Sequence, residues 1–356
     1  MIAENIEFQR LNGDQGRELI NTQQRFQTFL EARRRSFGYR GSMIFAVRNG
    51  AEYLLRDYYD PKSGVKRQRS LGRRDEHTEK MFSEFSKGKE EAARQLKVAT
   101  EILRRQAAVN RALEMGRVPE IGAKIIRALD GADLLGKGLT VVGTNALFAY
   151  EASAGVRFPS DITTTEDIDL LFDARVHMRL AADEDAPERT LLGILKKVDR
   201  SFRRSDRVFQ AINGEGYLVD LIKPMRDPPW TVEASSVSGE SSDLEAVQIA
   251  GLAWHENAPQ FEAVALDARG FPVRIIAPDP RAYVVHKQWL SERPDRNILK
   301  RDRDAAQARW VAALIVAYMP NLPFDSEMLR SFPKSVVESA RPLFEMARSG
   351  ADTFEM

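Results

Sequence analysis

The segment TTTEDIDLLF, residues 163–172, places two carboxylates inside an apolar run. In a β-strand, Asp167 and Asp169 point to the same face with Cα atoms roughly 7 Å apart, while Ile168 faces the other way. Two ionised carboxylates at that spacing repel each other unless a cation compensates them or one of them takes up a proton. The segment therefore predicts a strand in a sheet, with its acidic pair pointing into a cleft.

A metal ion is the usual compensation for such a pair. Hard divalent cations that prefer oxygen ligands, chiefly Mg²⁺ and also Mn²⁺, fit best. The chain has no cysteine and only four scattered histidines, so thiolate-bound zinc is excluded and a histidine-based metal site is not expected. Asp-x-Asp alone is a weak signal, because many such pairs are exposed at strand edges.

A candidate anion site lies upstream of the acidic pair. The apolar strand 139–142 ends in Gly143-Thr144 and runs directly into a predicted helix at 145–152. Free backbone N–H groups at the beginning of a helix bind anions such as phosphate. We expect Thr144 to be the N-cap residue of this helix. The alternative is a plain joint between a strand and a helix.

Two further charged residues strengthen the prediction of a metal site. Asp220 lies in the centre of the apolar strand YLVDLI, where an acid is costly unless an arginine or a metal ion neutralises it. Lys287 lies on a predicted amphipathic helix, and it either extends towards a phosphate or is a surface lysine.

Together, these residues resemble the nucleotidyltransferase fold of the DNA polymerase β superfamily. In that superfamily a strand ends in Gly-Gly or Gly-Ser before a helix, the next strand carries Asp-x-Asp or Asp-x-Glu, and a later strand supplies a third carboxylate. The spelling GTNALxxYE followed by TxDIDLL is most similar to bacterial members. A more distant resemblance is to AbiEii-type toxins, which have a downstream lysine and then an Arg-Asp-x-x-Asp-like segment. The resemblance covers about residues 118–318.

The resemblance implies a set of site residues. Asp167, Asp169 and Asp220 would be both the catalytic residues and the ligands of one or two Mg²⁺ or Mn²⁺ ions. The gap before Asp167 is longer than in many members, so we expect residues 155–163 to form an extra loop or hairpin that brings Arg157 near the site. The implied nucleotide-binding residues are Gly143, Thr144, Asn145, Arg157, Lys287, Arg301 and Asp304.

The fold class predicted for the chain is α+β. A mixed nucleotidyltransferase sheet flanked by helices is expected in residues 116–278. A small basic region of hairpin and helices is expected before it, in residues 1–115, and a helical C-terminal domain after it, in residues 279–356.

Local patterns predict individual elements within these regions. Asn49-Gly50 between two strand-like runs is a strong hairpin signal. Residues 187–204 are expected to form a helix, and residues 244–252 a strand. Pro294 is expected to separate two of the C-terminal helices.

Positive charge is concentrated near the N-terminus. Residues 31–74 contain 12 lysines and arginines against four acids, whereas the whole chain has a net charge of +1. Such a segment favours a polyanionic partner such as RNA. The competing interpretation is a solvated arginine-rich face. The candidate RNA-binding residues are Arg33, Arg34, Arg35, Arg67, Arg69, Arg73 and Arg74.

The predicted function is metal-dependent transfer of an NMP from an NTP to an acceptor hydroxyl. RNA, for example a tRNA 3′ end, is slightly favoured over a protein hydroxyl, which an AMPylating-type, toxin-like enzyme would modify. A non-catalytic nucleotide sensor or nucleic-acid adaptor, with a protein partner such as an antitoxin, is the alternative from another class. A glycosyltransferase ranks lower, because those enzymes normally have a nucleotide-binding parallel sheet before Asp-x-Asp.

The expected location is the cytoplasm, without membrane contact. No apolar run approaches the roughly 18 residues that predict a membrane span. The N-terminus also lacks the basic and then apolar layout of a signal peptide.

Overall fold

The N-terminal part of the chain is a helical hairpin with a small sheet at its tip. The two long helices run antiparallel, because Glu18 contacts Gln106 while Arg35 contacts Gln95. A computed structural model of the chain describes residues 6–59, 66–175, 190–228, 230–231, 233–324 and 326–352. The N-terminal elements are β1 (Gln9–Arg10), α1 (Gly13–Gly38), β2 (Met43–Arg48), β3 (Ala51–Tyr59), β4 (Lys66–Arg73) and α2 (Glu76–Ala112).

The small sheet is the antiparallel meander β2-β3-β4. Asn49 and Gly50 form the first turn with φ angles of 49° and 76°, which confirms the predicted hairpin. Asp75 begins α2 by accepting a hydrogen bond from the Thr78 N–H, while Thr78 Oγ1 accepts one from the Asp75 N–H. We call α1, α2 and this sheet the N-terminal arm.

The base of the arm packs on the central part of the chain. Phe26 of α1 and Leu103 of α2 form an apolar cluster with Val264. The Asn110 side chain donates a 2.8 Å hydrogen bond to the carbonyl of Gly270. The helix pair is thus anchored at one end, and it carries the small sheet at the other.

The central part is a mixed sheet covered by helices, as predicted. Its strand order is β5-β7-β10-β9-β8, with β11 beside the second half of β10, and β12-β13 forms a separate hairpin. The elements are α3 (Glu120–Gly131), β5 (Leu139–Val142), α4 (Leu147–Ala154), β6 (Val156–Arg157), α5 (Ser160–Thr163), β7 (Asp167–Phe172), α6 (Leu191–Val198), β8 (Arg203–Arg204), β9 (Gln210–Ile212), β10 (Leu218–Pro224), β11 (Val247–Ile249), α7 (Leu252–Asn257), β12 (Gln260–Leu266) and β13 (Pro272–Pro278).

The two faces of this sheet are buried to different extents. Ile168 and Leu170 of β7 are fully buried and belong to the main hydrophobic core. On the other face, Leu171 packs in a small apolar cluster with Ile222 of β10 and Leu252 of α7. Because α7 covers only this part of the second face, the beginning of β7 stays accessible.

Two predicted elements differ from the structure. In the predicted helix 187–204, residues 187–189 lie outside the described residues, and α6 ends before Asp199, whose carboxylate accepts a hydrogen bond from the Ser201 N–H. The predicted strand 244–252 is strand only at β11. Gly251 follows with φ of 83° and abuts the Trp289 ring, so a tight turn into α7 replaces the end of the predicted strand.

The last part of the described chain is mainly helical, as predicted. The helix boundary at Pro294 is confirmed, because one helix ends and the next begins on either side of it. No helix among the described residues is both long enough and apolar enough to span a membrane. The C-terminal helices are α8 (Pro280–Glu292), α9 (Ile298–Tyr318) and α10 (Lys334–Asp352).

Acid is expected to destabilise the contact between α7 and α8. His255 and His286 meet there with ring centroids 4.4 Å apart. Burial lowers the pKa of His255 to about 3, with Lys287 adding to the effect, and burial lowers the pKa of His286 as well, with His255, Lys287 and Arg296 adding to it. A pKa below the unfolded value means that stability is lost as pH falls below about 6.5, by on the order of 2 kcal/mol for His255 alone at pH 5.

Urea unfolding at pH 7.5 and pH 5 tests this expectation. His255→Met should reduce the difference in unfolding free energy between the two pH values. The exposed His77→Met is the matched control, and it should leave the difference unchanged. Equal pH dependence in wild type and His255→Met would contradict the assignment.

Candidate active site

The register of the sheet brings three predicted carboxylates together. Asp169 lies opposite Val142 of the antiparallel β5 and opposite Asp220 of the parallel β10, and Asp167 lies opposite Leu218. Side chains at paired positions of neighbouring strands point to the same face. The three aspartates therefore share one face at the accessible end of β7, and each is half-buried.

Negative charge is crowded at this position. Burial, with the neighbouring Asp167 and Asp220 adding to its effect, raises the pKa of Asp169 to about 7, against the opposing charges of Lys287 and Lys300. Burial is also the main cause of the raised pKa of Asp220. A bound cation would relieve this repulsion.

Hydrogen bonds hold the two outer carboxylates. Gln210 Nε2 donates a 2.8 Å hydrogen bond to Asp220 Oδ1. The sequence analysis expected either a metal ion or an arginine beside Asp220, and the side chain in contact with it is this glutamine. The Thr165 hydroxyl donates to Asp167 Oδ1. Both contacts orient the side chains without neutralising them.

Gly143 forms the turn beside Asp169. Its φ is 65°, and a Cβ atom at this position would overlap Asp169 Oδ2. Glycine is therefore required by both the backbone conformation and the close approach. The predicted N-cap role of Thr144 is wrong, because Thr144 lies inside the 3-10 turn Gly143–Ala146, and its Oγ1 accepts a 3.3 Å hydrogen bond from Gln307.

Asn145 holds the first residue of β7. Its side-chain Nδ2 donates a 2.7 Å hydrogen bond to the carbonyl of Asp167, and Tyr217 Oη donates to the same oxygen at 3.3 Å. Asn145 is 1% exposed, and its Oδ1 has no partner among the described residues. The Asn145 side chain therefore positions Asp167, and nucleotide binding by Asn145 stays a prediction.

Lys287 and Asp304, both predicted to bind nucleotide, pair with each other. The distance from Lys287 Nζ to Asp304 Oδ1 is 2.7 Å, and Arg296 also pairs with this carboxylate. Lys287 is 8% exposed and Asp304 2%. Its burial rules out the surface-lysine alternative for Lys287, whereas phosphate binding by Lys287 stays a prediction. Arg301 donates a 2.9 Å hydrogen bond to the carbonyl of Ser291 at the end of α8.

Arg157 contacts a part of the chain other than the three aspartates. The predicted extra loop is the short strand β6, which pairs with β1, followed by α5. The Arg157 guanidinium donates a 2.6 Å hydrogen bond to the carbonyl of Glu114. Within the described part of the chain it makes no hydrogen bond or ion pair with the three aspartates.

Two of the arginines predicted to bind RNA form ion pairs within the protein. Arg33 forms a 2.7 Å ion pair with Asp130, and Arg74 forms 2.9 Å ion pairs with Glu52 and Glu79. Arg33 is half-buried, and the other candidate residues are exposed, namely Arg34, Arg35, Arg67, Arg69, Arg73 and Arg74.

Gln307 and Arg303 of α9 contact the site, and the sequence analysis missed both. Gln307 is fully buried, and besides Thr144 it donates a 3.0 Å hydrogen bond to the carbonyl of Ile162. Arg303 donates to the carbonyl of Thr164. The helical spacing of the polar residues in α9 was the signal that could have identified them.

Asp167, Asp169 and Asp220 offer the kind of ligand atom that a hard divalent cation prefers. All three side chains offer carboxylate oxygens, and Asp167 and Asp220 add to the effect of burial in raising the pKa of Asp169. Among the described residues, no three Asp, Glu or His side chains are drawn together closely enough to form a closed metal site. Binding would therefore require the carboxylates to converge around the ion.

The mixed sheet and its flanking helices are consistent with a nucleotidyltransferase fold. A family model described as nucleotidyltransferase matches residues 120–332, which is more than half of the chain. The chain belongs to the nucleotidyltransferase family, and the protein is thus a transferase of phosphorus-containing groups. Neither a curated protein nor a solved structure shows significant similarity to it.

Proposed function

We propose that the protein is a metal-dependent enzyme that moves an NMP from an NTP to a hydroxyl group of an acceptor. One observation carries this proposal: the strand register places Asp167, Asp169 and Asp220 on one face, with Asp169 against the Gly143 turn. Three carboxylates beside the first N–H groups of a helical turn suit a triphosphate and the cation that accompanies it.

In the proposed reaction, the acceptor hydroxyl oxygen forms a bond to the α-phosphorus of the NTP. The bond from this phosphorus to the bridging oxygen breaks, and pyrophosphate leaves with the electron pair. The hydroxyl proton passes to Asp220 or to solvent, and the raised pKa of Asp220 makes it a better proton acceptor than an exposed aspartate. Asp167 and Asp169 would hold Mg²⁺ or Mn²⁺, which when bound neutralises charge on phosphate oxygens.

The proposed phosphate contact is the backbone of the turn Gly143–Ala146. This turn precedes α4, and its first residue lies against Asp169. N–H groups at such a position have no partner within the helix and are available to an anion. The side chain of Asn145 would act indirectly, by holding Asp167.

RNA is the proposed acceptor, in preference to a protein hydroxyl. The support is the N-terminal arm, which carries exposed arginines on the small sheet. α2 has 37 residues, which corresponds to a length of about 55 Å. A folded RNA is large enough to contact both the small sheet and the carboxylates.

Label transfer tests the proposed function. The protein is incubated with Mg²⁺, each of the four α-labelled NTPs, and either total tRNA or cell-extract protein. We expect label to appear in RNA. Label in protein instead would support an AMPylating-type enzyme. NTP or RNA binding without transfer to any acceptor would overturn the proposal in favour of a sensor or adaptor.

Charge reversal on the small sheet is expected to weaken RNA binding. In the double variant Arg67→Glu/Arg69→Glu, the slope of log affinity against log salt should fall by roughly 2, about one unit for each lost phosphate contact. Filter binding with tRNA between low and high salt measures the slope. Arg348→Glu on α10, also exposed, is the control and should leave the slope unchanged. An unchanged slope in the double variant would remove the arm from the RNA-binding surface.

A further inference from the structure

α9 turns one polar face towards the carboxylates. Lys300, Arg303, Asp304 and Gln307 are spaced by three, one and three residues, which places them in a single stripe along the helix. Arg303, Asp304 and Gln307 make the hydrogen bonds described above, and these contacts fix the orientation of α9. The stripe therefore forms a second wall of the site.

The contacts of the stripe reach both segments that frame the carboxylates. Gln307 binds the hydroxyl of Thr144, in the turn before α4. Arg303 binds the carbonyl of Thr164, three residues before Asp167. Lys300 lies one helical turn before Arg303, on the same face of α9. We therefore expect its side chain to lie at the solvent-exposed edge of the site.

Lys300 differs from Lys287, the other lysine near the site. Its side chain is exposed, and no acid within the described residues forms an ion pair with it. Its positive charge opposes part of the rise in the pKa of both Asp169 and Asp220, and Lys287 does the same for Asp169. Lys287 is held in a buried pair with Asp304, and moving it to a ligand would leave the Asp304 carboxylate with one fewer positive partner in a buried position.

We propose that Lys300 is the catalytic residue that binds the β- and γ-phosphates of the NTP, and that Lys287 is a structural residue. This inference rests on the proposed function. When the bond to the α-phosphorus breaks, negative charge moves onto the departing pyrophosphate. The Lys300 ammonium would neutralise this charge through direct contact, without giving up a proton.

Binding of inorganic triphosphate, measured by calorimetry in magnesium buffer, tests the inference apart from catalysis. A charge-assisted contact of this kind predicts that Lys300→Ala weakens triphosphate binding roughly 10- to 100-fold. The same variant should bind an NMP as the wild type does, and Lys300→Arg should keep most of the affinity. The exposed Lys97→Ala on α2 is the matched control, with no expected change.

The outcomes separate this inference from the proposed function. Triphosphate affinity that is unchanged in Lys300→Ala, or equal losses in Lys300→Ala and Lys97→Ala, would overturn the role of Lys300. Loss of triphosphate affinity in a Lys287→Met variant that keeps the wild-type melting temperature would overturn the structural role of Lys287. If triphosphate binding depends on Lys300 but no label transfer occurs, the inference holds and the proposed function fails.

Discussion

Gly143→Ala is expected to reduce nucleotidyl transfer by roughly 100-fold or more, because displacing a reacting group by about 1 Å has an effect of that size. The new methyl group would overlap Asp169 Oδ2, so the carboxylate must move away from the turn. The left-handed backbone at φ of 65° also disfavours alanine, by about 1–2 kcal/mol. Label transfer and thermal melting measure the two effects separately.

Gly155→Ala is a close control for this variant. Gly155 also has a left-handed backbone, with φ of 66°, but nothing lies within 4 Å of the position of its missing Cβ atom. It should lose similar stability and keep most of its activity. If the two variants were equally inactive, loss of stability would explain the defect at Gly143, and the contact with Asp169 would not be needed for it.

Asp169→Asn is expected to abolish transfer while stabilising the metal-free protein. An amide cannot replace a carboxylate as a charged metal ligand, so activity should fall to about 1% or less. At pH 8 in EDTA, removing a charge that lies between Asp167 and Asp220 should raise the unfolding free energy by on the order of 1–2 kcal/mol. Urea unfolding measures this change.

In magnesium, the wild type should become more stable than the Asp169→Asn variant. An ion that binds only the folded wild type raises its melting temperature, whereas the Asp169→Asn variant should respond little. The exposed Asp302→Asn on α9 is the control, and it should behave as wild type in both buffers. A loss of stability in metal-free Asp169→Asn would contradict the charge crowding described for the site.

Much of the fold could be predicted from local patterns. Apolar runs and an alternating pattern predicted β5, β7 and β10 because each strand buries at least one face in the core. The hairpin at Asn49-Gly50 was predictable because that dipeptide adopts the φ angles that the turn needs. α7 was not predicted, since a helix of only six residues lacks a recognisable period, and Gly251 was not recognised as a break in the strand.

The candidate site, too, could be predicted only in part from the sequence. Spacing alone predicted that Asp167 and Asp169 share a face, since this follows from strand geometry. The partner of Lys287 was not predictable, because its pairing with Asp304 depends on how α8 and α9 pack together. The contacts of Gln307 likewise join segments that are more than 140 residues apart in sequence.

The parallel pairing of β7 with β10 has a consequence for how the protein tolerates change. Asp169 and Asp220 come from distant parts of the sequence, yet backbone hydrogen bonds between the strands set their separation. Lengthening or shortening the connection between Phe172 and Leu218 outside α6, β8 and β9 should leave that separation intact. Deleting one residue inside either strand would shift the pairing and turn one acid to the opposite face. Natural variation in length should therefore accumulate between these strands and avoid their interiors.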